Sequence, residues 1–140
     1  MPIEIMDLDS GIGNIILGSG VLTAEEYKNA IKTNLSQDSE KFKKSRYCLS
    51  DFTEVAKVDV PSSDIELVAR LCKDAAVVNP EAVVASVAEK DIAFGLSMMW
   101  EILIDETNWE VMVFRKGGDA EAWIKEIVKE KYGIIELTFG

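Results

Sequence analysis

The chain has 140 residues, no histidine, 48% hydrophobic side chains, and 25 acidic against 15 basic residues for a formal net charge of -10. That length and apolar content suffice for one buried core without disulfides or metals, so a single domain spanning 1–140 is expected. A field of that sign repels phosphate backbones and anionic lipid surfaces, which argues against a nucleic-acid partner.

Cys48 and Cys72 lie in apolar stretches and read as small buried thiols, with no disulfide framework implied. No basic region opens the chain, and the longest apolar run, Ile92 to Ile104, is too short to span a bilayer and is interrupted by Glu101. A cytoplasmic location without membrane insertion is the expectation.

In chain order, Ile3–Leu8 and Ile12–Leu17 are apolar runs joined by Asp9-Ser10-Gly11, which supplies the backbone freedom of a hairpin. Gly11-Ile12-Gly13 and Gly18-Ser19-Gly20 read as turn glycines, because neither continues into a phosphate-loop pattern. Thr23 and Glu26 stand at capping-box spacing, and Tyr27, Ile31 and Leu35 follow on one face, predicting a first helix to about Ser36. Lys41, Lys43, Lys44 and Arg46, with Phe42 among them, read as a solvated loop. Tyr47–Phe52 reads as a strand. Pro61-Ser62-Ser63 leads into a second helix with Ile65, Val68, Cys72 and Ala75 on one side, ending near Asn79-Pro80. A serine at such a place reads first as an N-cap.

Ala82–Ala88 (AVVASVA) is small and β-branched without alternation, the pattern of a strand covered on both faces. A third helix from Asp91 is predicted to bury Ile92, Leu96, Met99 and Leu103, with Phe94 and Met98 off that stripe and Trp100 between the faces. Val111–Phe114 reads as a strand, Gly117-Gly118 as a turn, and Asp119 as the cap of a fourth helix with Trp123, Ile124 and Ile127 inward. After Gly133, Ile135, Leu137 and Phe139 alternate with Glu136 and Thr138, predicting a short strand added to this sheet or exchanged with a second subunit.

The order ββαβαβα, with an extra C-terminal strand, specifies an α/β fold with a mixed, mainly parallel sheet of about five strands. Functional groups in such sheets gather beyond the carboxyl ends of the parallel strands. That edge should collect Asp51, Thr53, Glu54, Ser62, Ser63, Lys90, Asp91, Arg115 and Lys116, with Asp51, Asp91 and Arg115 as the candidate polar site. Asp51 with Glu54 or Asp91 could pair as acid and base, and surface solubility explains these carboxylates equally well. Without histidine, the usual hydrolase base, ordinary zinc ligands and the proximal ligand of most haem sites are missing, so neither catalysis nor a cofactor is expected.

The stretch PEAVVASVAEKDIAFGLSMMWEILIDETNWEVMVFRKGGDAEAWI has a valine-rich strand, an aromatic-Gly-Leu helix start, a Trp-Glu-Val strand and an Ala-Trp helix. It resembles the second half of the STAS-like, or SpoIIAA-like, small bacterial proteins, and GSGVLTAEEYKNAI is similar to the strand-to-helix passage of the same group. These framework residues cover most of the chain. The resemblance implies a SpoIIAA-like fold and a non-catalytic, protein-binding or regulatory role. The best understood members are anti-sigma-factor antagonists, switched by phosphorylation of a serine at the start of the helix after the third strand. Ser62 and Ser63 stand at the comparable place, although DVPSSDIEL carries Asp64 where the family's Asp-Ser-Ser-Gly has glycine. A protein partner or a homodimer joined through Phe94, Met98, Ile135, Leu137 and Phe139 is the expectation, with a small-molecule or lipid-like ligand module as the alternative. An apolar closed cavity beneath the third helix would favour the ligand module.

Overall fold

The structure is a computed structural model that describes residues 3–36 and 40–140. β1 (Ile3–Leu8) and β2 (Gly13–Thr23) pair antiparallel around a tight turn at Asp9–Gly11. The backbone there is left-handed at Asp9, Ser10 and Gly11, a conformation that glycine accepts freely and Asp more readily than most residues. The chain continues through α1 (Ala24–Asn34), α2 (Glu40–Lys44), β3 (Tyr47–Asp59), α3 (Ser62–Val78), β4 (Val83–Val87), α4 (Asp91–Leu103), β5 (Glu110–Phe114) and α5 (Gly117–Tyr132).

The five strands lie in the order β1-β2-β3-β4-β5, and β2 to β5 are parallel. Each crossover steps to the next strand in the same direction, so connections of one hand place α1, α3 and α4 on one face. A core with Ile16, Ile31, Val55, Val68 and Trp100 fills that side, and α5 covers a second core with Tyr47, Leu49, Val83 and Ile124. β4 is buried at every residue, as its unbroken small and β-branched run predicts. Thr23 caps α1, its hydroxyl oxygen accepting from the Glu26 N–H at 3.3 Å.

Several elements depart from the sequence reading for local reasons. β2 continues through Gly18-Ser19-Gly20 instead of turning there, and the Phe52 ring lies across Gly18, where a Cβ would approach it to 2.9 Å. β3 likewise extends past Phe52, and register shifts between Leu17/Ser19 and Gly20/Val21 mark bulges in the β2–β3 ribbon where it passes the shorter β4. The lysine cluster winds into α2, which buries Phe42. Pro61 occupies the N-cap of α3 with no side-chain capping bond, so Ser62 and Ser63 fall in the first turn, exposed, and cap nothing. Lys116 stands at the N-cap of α5, which moves Asp119 from the cap into the first turn. α4, the expected third helix, is rotated: it buries Ala93, Ser97 and Trp100, followed by Ile104, and leaves Ile92 71% exposed. Leu96, Met99 and Leu103 sit at its boundary, partly buried. The large side chains of Trp100 and Ile104 set that rotation, because they remove more apolar area from water than Ile92 would.

Gly133, left-handed at φ 67°, ends α5 as expected, but residues 134–140 form no strand. Instead Asp9 clasps them. Its carboxylate accepts from Thr138 N (2.8 Å), Thr138 Oγ1 (2.7 Å) and Phe139 N (3.2 Å), and its own N–H donates to Gly140 O (2.8 Å). Leu137 is buried in the α5-side core, Phe139 stands edge-on to Tyr47 at 5.3 Å between centroids, and Ile135 points outward. The tail therefore docks on its own chain.

Candidate functional site

On the sheet face beneath α1, α3 and α4, register sets Asn14 beside Cys48 and Val84, and Ile16 beside Ser50 and Ser86. A covered face of parallel sheet is ordinarily Val, Ile and Leu. Here Asn14, Cys48, Ser50 and Ser86 occupy its middle. Tyr27 and Ile31 from α1, Ile65 and Cys72 from α3, and Leu96, Ser97 and Trp100 from α4 form the opposite wall. Between wall and floor lies a cavity of about 60 Å³, counted as the space open to the centre of a water molecule. A space that just fits one water leaves its centre almost no freedom on that measure, so this one exceeds a single water and has room for a small molecule. Interiors packed to native density seldom leave such a void. None of its lining side chains carries a formal charge, and most of them are aliphatic or aromatic.

The polar groups of the floor are mostly paired. Ser86 and Ser97 share a 3.2 Å hydrogen bond between β4 and α4. Asn14 Nδ2 donates to Asn34 Oδ1 at 2.7 Å, and Asn34 Nδ2 donates to Cys48 Sγ at 3.6 Å. Asn14 Oδ1 is buried and receives no hydrogen bond from the described residues. Burial pushes the Cys48 thiol up to about 12, against the lowering effect of hydrogen bonds with Asn34 and Ser50. Burial likewise pushes Cys72 up to about 11, against a hydrogen bond with Trp100. The Tyr27 phenol is raised by burial first and by the neighbouring thiols second. All three groups are therefore neutral at pH 7, which suits contact with a ligand better than nucleophilic attack.

A second hollow opens near the start of β2 and the end of α1, where Ile5, Asp7 and Thr33 contribute to its wall. Asn14, Asn34, Phe42 and Ser45 line both spaces and so form the partition between the core cavity and this outer hollow. One side of the partition is braced. Asn79 Nδ2 donates to Phe42 O (2.8 Å) and Ser45 O (2.9 Å), and Trp109 Nε1 donates to Asn79 O (2.7 Å).

No protein-family model and no curated protein matches this chain. What the site can do must follow from its own residues.

Among the strand-end candidates, Asp91 and Arg115 meet. Arg115 Nη1 donates to Asp91 Oδ1 (2.7 Å) and Glu89 O (3.0 Å), and its guanidinium lies 4.1 Å from the Phe94 ring centroid. Both charged groups are exposed, so the ion pair contributes little beyond local order. Asp51 makes different contacts, its Oδ1 accepting from Thr53 N (3.0 Å) and Thr53 Oγ1 (2.8 Å) at the bulge where Thr53 has no partner in the β2 register. The parallel strands follow one another without reversal, so no switch-point crevice gathers these groups. Of the candidate interaction patch, Met98 and Ile135 are exposed, Phe94 is half-buried beneath Arg115, Leu137 is in the protein's own core, and Phe139 packs on Tyr47. Among the described residues no cluster of His, Cys, Asp and Glu could hold a metal ion, and no helix is long and apolar enough to cross a membrane.

Sequence reasoning passes over Asn14, Ser50, Ser86 and Ser97. The signal available for them is the serine inside AVVASVA, a polar residue in a fully covered strand, which must find a partner or a ligand.

Proposed function

We propose that this chain is a non-catalytic binding protein that takes a small, predominantly apolar molecule into the cavity beneath α1, α3 and α4. The observation that carries this reading is the cavity itself, a partly open space walled by apolar side chains beneath α1, α3 and α4. Unfilled core volume lowers stability roughly in proportion to its size, whereas a ligand that binds only the folded state returns stability by mass action. Neutral thiols and a neutral phenol on the wall support binding over covalent chemistry.

A second reading, a protein-binding regulator of STAS type in the bacterial cytoplasm, is favoured by one feature of α4. It leaves Ile92 and Ile102 outward, 71% and 70% exposed, with Met98 between them. A homodimer or partner protein docked there would cover them, and Ser62 and Ser63 would be within reach of a kinase. Light scattering on the wild type and on Ile92→Lys with Ile102→Lys tests that reading. A monomer at all concentrations that captures nothing through α4 would end it.

The ligand reading is tested by solvent extraction of freshly purified protein followed by mass spectrometry. Wild type should release one small compound at close to one per chain. Ala93→Leu, which grows from α4 into the cavity, should release none. Equal recovery from both proteins would refute the reading.

A further inference from the structure

Resting on the ligand reading above, we infer that the ligand is uncharged and carries a hydrogen-bond donor that pairs with Asn14 Oδ1 at the partition between the core cavity and the outer hollow. The absence of charge follows from the lining, in which no Lys, Arg, Asp or Glu stands among the described residues. A carboxylate or ammonium group brought inside would lose its water with no counter-charge to replace it.

The donor follows from the direction of the hydrogen-bond chain. Asn14 spends an amide N–H on Asn34 Oδ1, and Asn34 spends one on Cys48 Sγ, which leaves Asn14 Oδ1 as an acceptor that no described residue fills. Turning Asn14 over alone would set its oxygen against Asn34 Oδ1, and turning both amides over, with the Cys48 S–H donating to Asn34, would exchange one unfilled oxygen for an N–H2 with two unfilled donors, the costlier arrangement. A buried carbonyl oxygen without a partner is rare in folded proteins. Ser86 and Ser97, at the other end of the floor, share one hydrogen bond, so neither oxygen is left without a partner as Asn14 Oδ1 is. The fitting chemical class is a neutral molecule with an apolar body and one O–H or N–H, such as a phenol, a small alcohol or an indole-like heterocycle.

The test uses phenol, anisole, toluene and benzoate as four probes of similar size: a donor, an acceptor only, neither, and an anion. Each is titrated by calorimetry into wild-type protein and Asn14→Leu, with the Ile16 and Ile31 methyl resonances reporting occupancy of the cavity. The phenol-to-anisole affinity ratio should fall about fivefold or more on Asn14→Leu, the equivalent of one hydrogen bond. Toluene affinity should hold or rise, and benzoate should not bind either protein. An unchanged phenol-to-anisole ratio, or benzoate binding as tightly as phenol, would overturn the inference while leaving the cavity reading intact. If no probe shifts the methyl resonances, the cavity reading fails and the donor falls with it. Should Asn14→Leu not fold, the Asn14 carboxamide carbon shift in wild type decides, since it should move with phenol and stay with toluene. Equal movement with both would overturn the inference.

Discussion

Replacing Asp9 should loosen the C-terminal clasp by an amount that its contacts set. Oδ1 accepts from the Thr138 amide and hydroxyl, and Oδ2 accepts from the Phe139 amide and the Tyr47 hydroxyl. Tyr47 is fully buried, so in Asp9→Ala its hydroxyl loses that partner away from water, a loss of about 1–3 kcal/mol. The Thr138 and Phe139 groups regain water and add less. Alanine at φ 51° adds backbone strain of about 1 kcal/mol, which Asp tolerates better. The sum is about 2–5 kcal/mol, a large share of the ~5–15 kcal/mol of a typical domain. Asp9→Asn keeps an acceptor and the left-handed preference, and should lose about 1 kcal/mol. Burial raises the Asp9 carboxyl, but the hydrogen bonds from Tyr47, Thr138 and Phe139 together outweigh it and hold the pKa below its ordinary 3.8. This stabilisation is complete above the unfolded-state pKa and is lost as pH falls through the folded-state value, so the gap between wild type and Asp9→Ala should narrow in acid. Urea unfolding followed by tryptophan fluorescence measures it. A loss under about 1 kcal/mol for Asp9→Ala, or a gap that stays constant into strong acid, would show that Asp9 does not hold the tail.

Ser62→Ala combined with Ser63→Ala should change stability by less than about 0.5 kcal/mol, since neither hydroxyl caps α3. A loss of about 1 kcal/mol in the same urea assay would return the capping role to one of them. Cys48 and Cys72 should resist an aromatic disulfide reagent at pH 8 in the folded protein and react only in urea, because burial raises both thiols. Prompt native-state reaction, timed by absorbance, would show that the cavity admits bulky solutes freely. Removing residues 134–140 should lower stability by about 2–4 kcal/mol, for the burial of Leu137 and Phe139, without changing the oligomeric state. A change of particle mass in light scattering would instead point to a tail exchanged between subunits.

The order of elements is legible because its strongest segments admit one reading. The Val83–Val87 run is too short and too β-branched for a helix, and Tyr27 and Ile31 repeat only at helical spacing. The rotation of α4 is not legible locally, since apolar residues fall on several faces between Ile92 and Leu103 and the packing of Trp100 and Ile104 makes the choice. Gly18 and Gly20 look like breaks until Phe52, from the neighbouring strand, is laid across Gly18. The tail alternates as a strand would, yet its partner is a carboxylate 129 residues away in sequence, at a turn whose left-handed backbone presents it. The candidate site is hidden for the same reason. Asn14, Cys48, Ser50 and Ser86 come from β2, β3 and β4, and only the parallel register sets them side by side. A cavity beneath the third helix can be posed as a discriminating feature from sequence, but its polar floor cannot.

The space between the sheet and α1, α3 and α4 should receive a small apolar molecule. Crystals of the protein soaked in bromobenzene, with bromine located by its anomalous scattering, test it most directly. One dominant bromine peak is expected inside the cavity, among Ile16, Ile31 and Trp100 and above Ser50, and it should disappear in Ala93→Leu. Bromine found only on the protein surface, or an identical interior peak in Ala93→Leu, would contradict it.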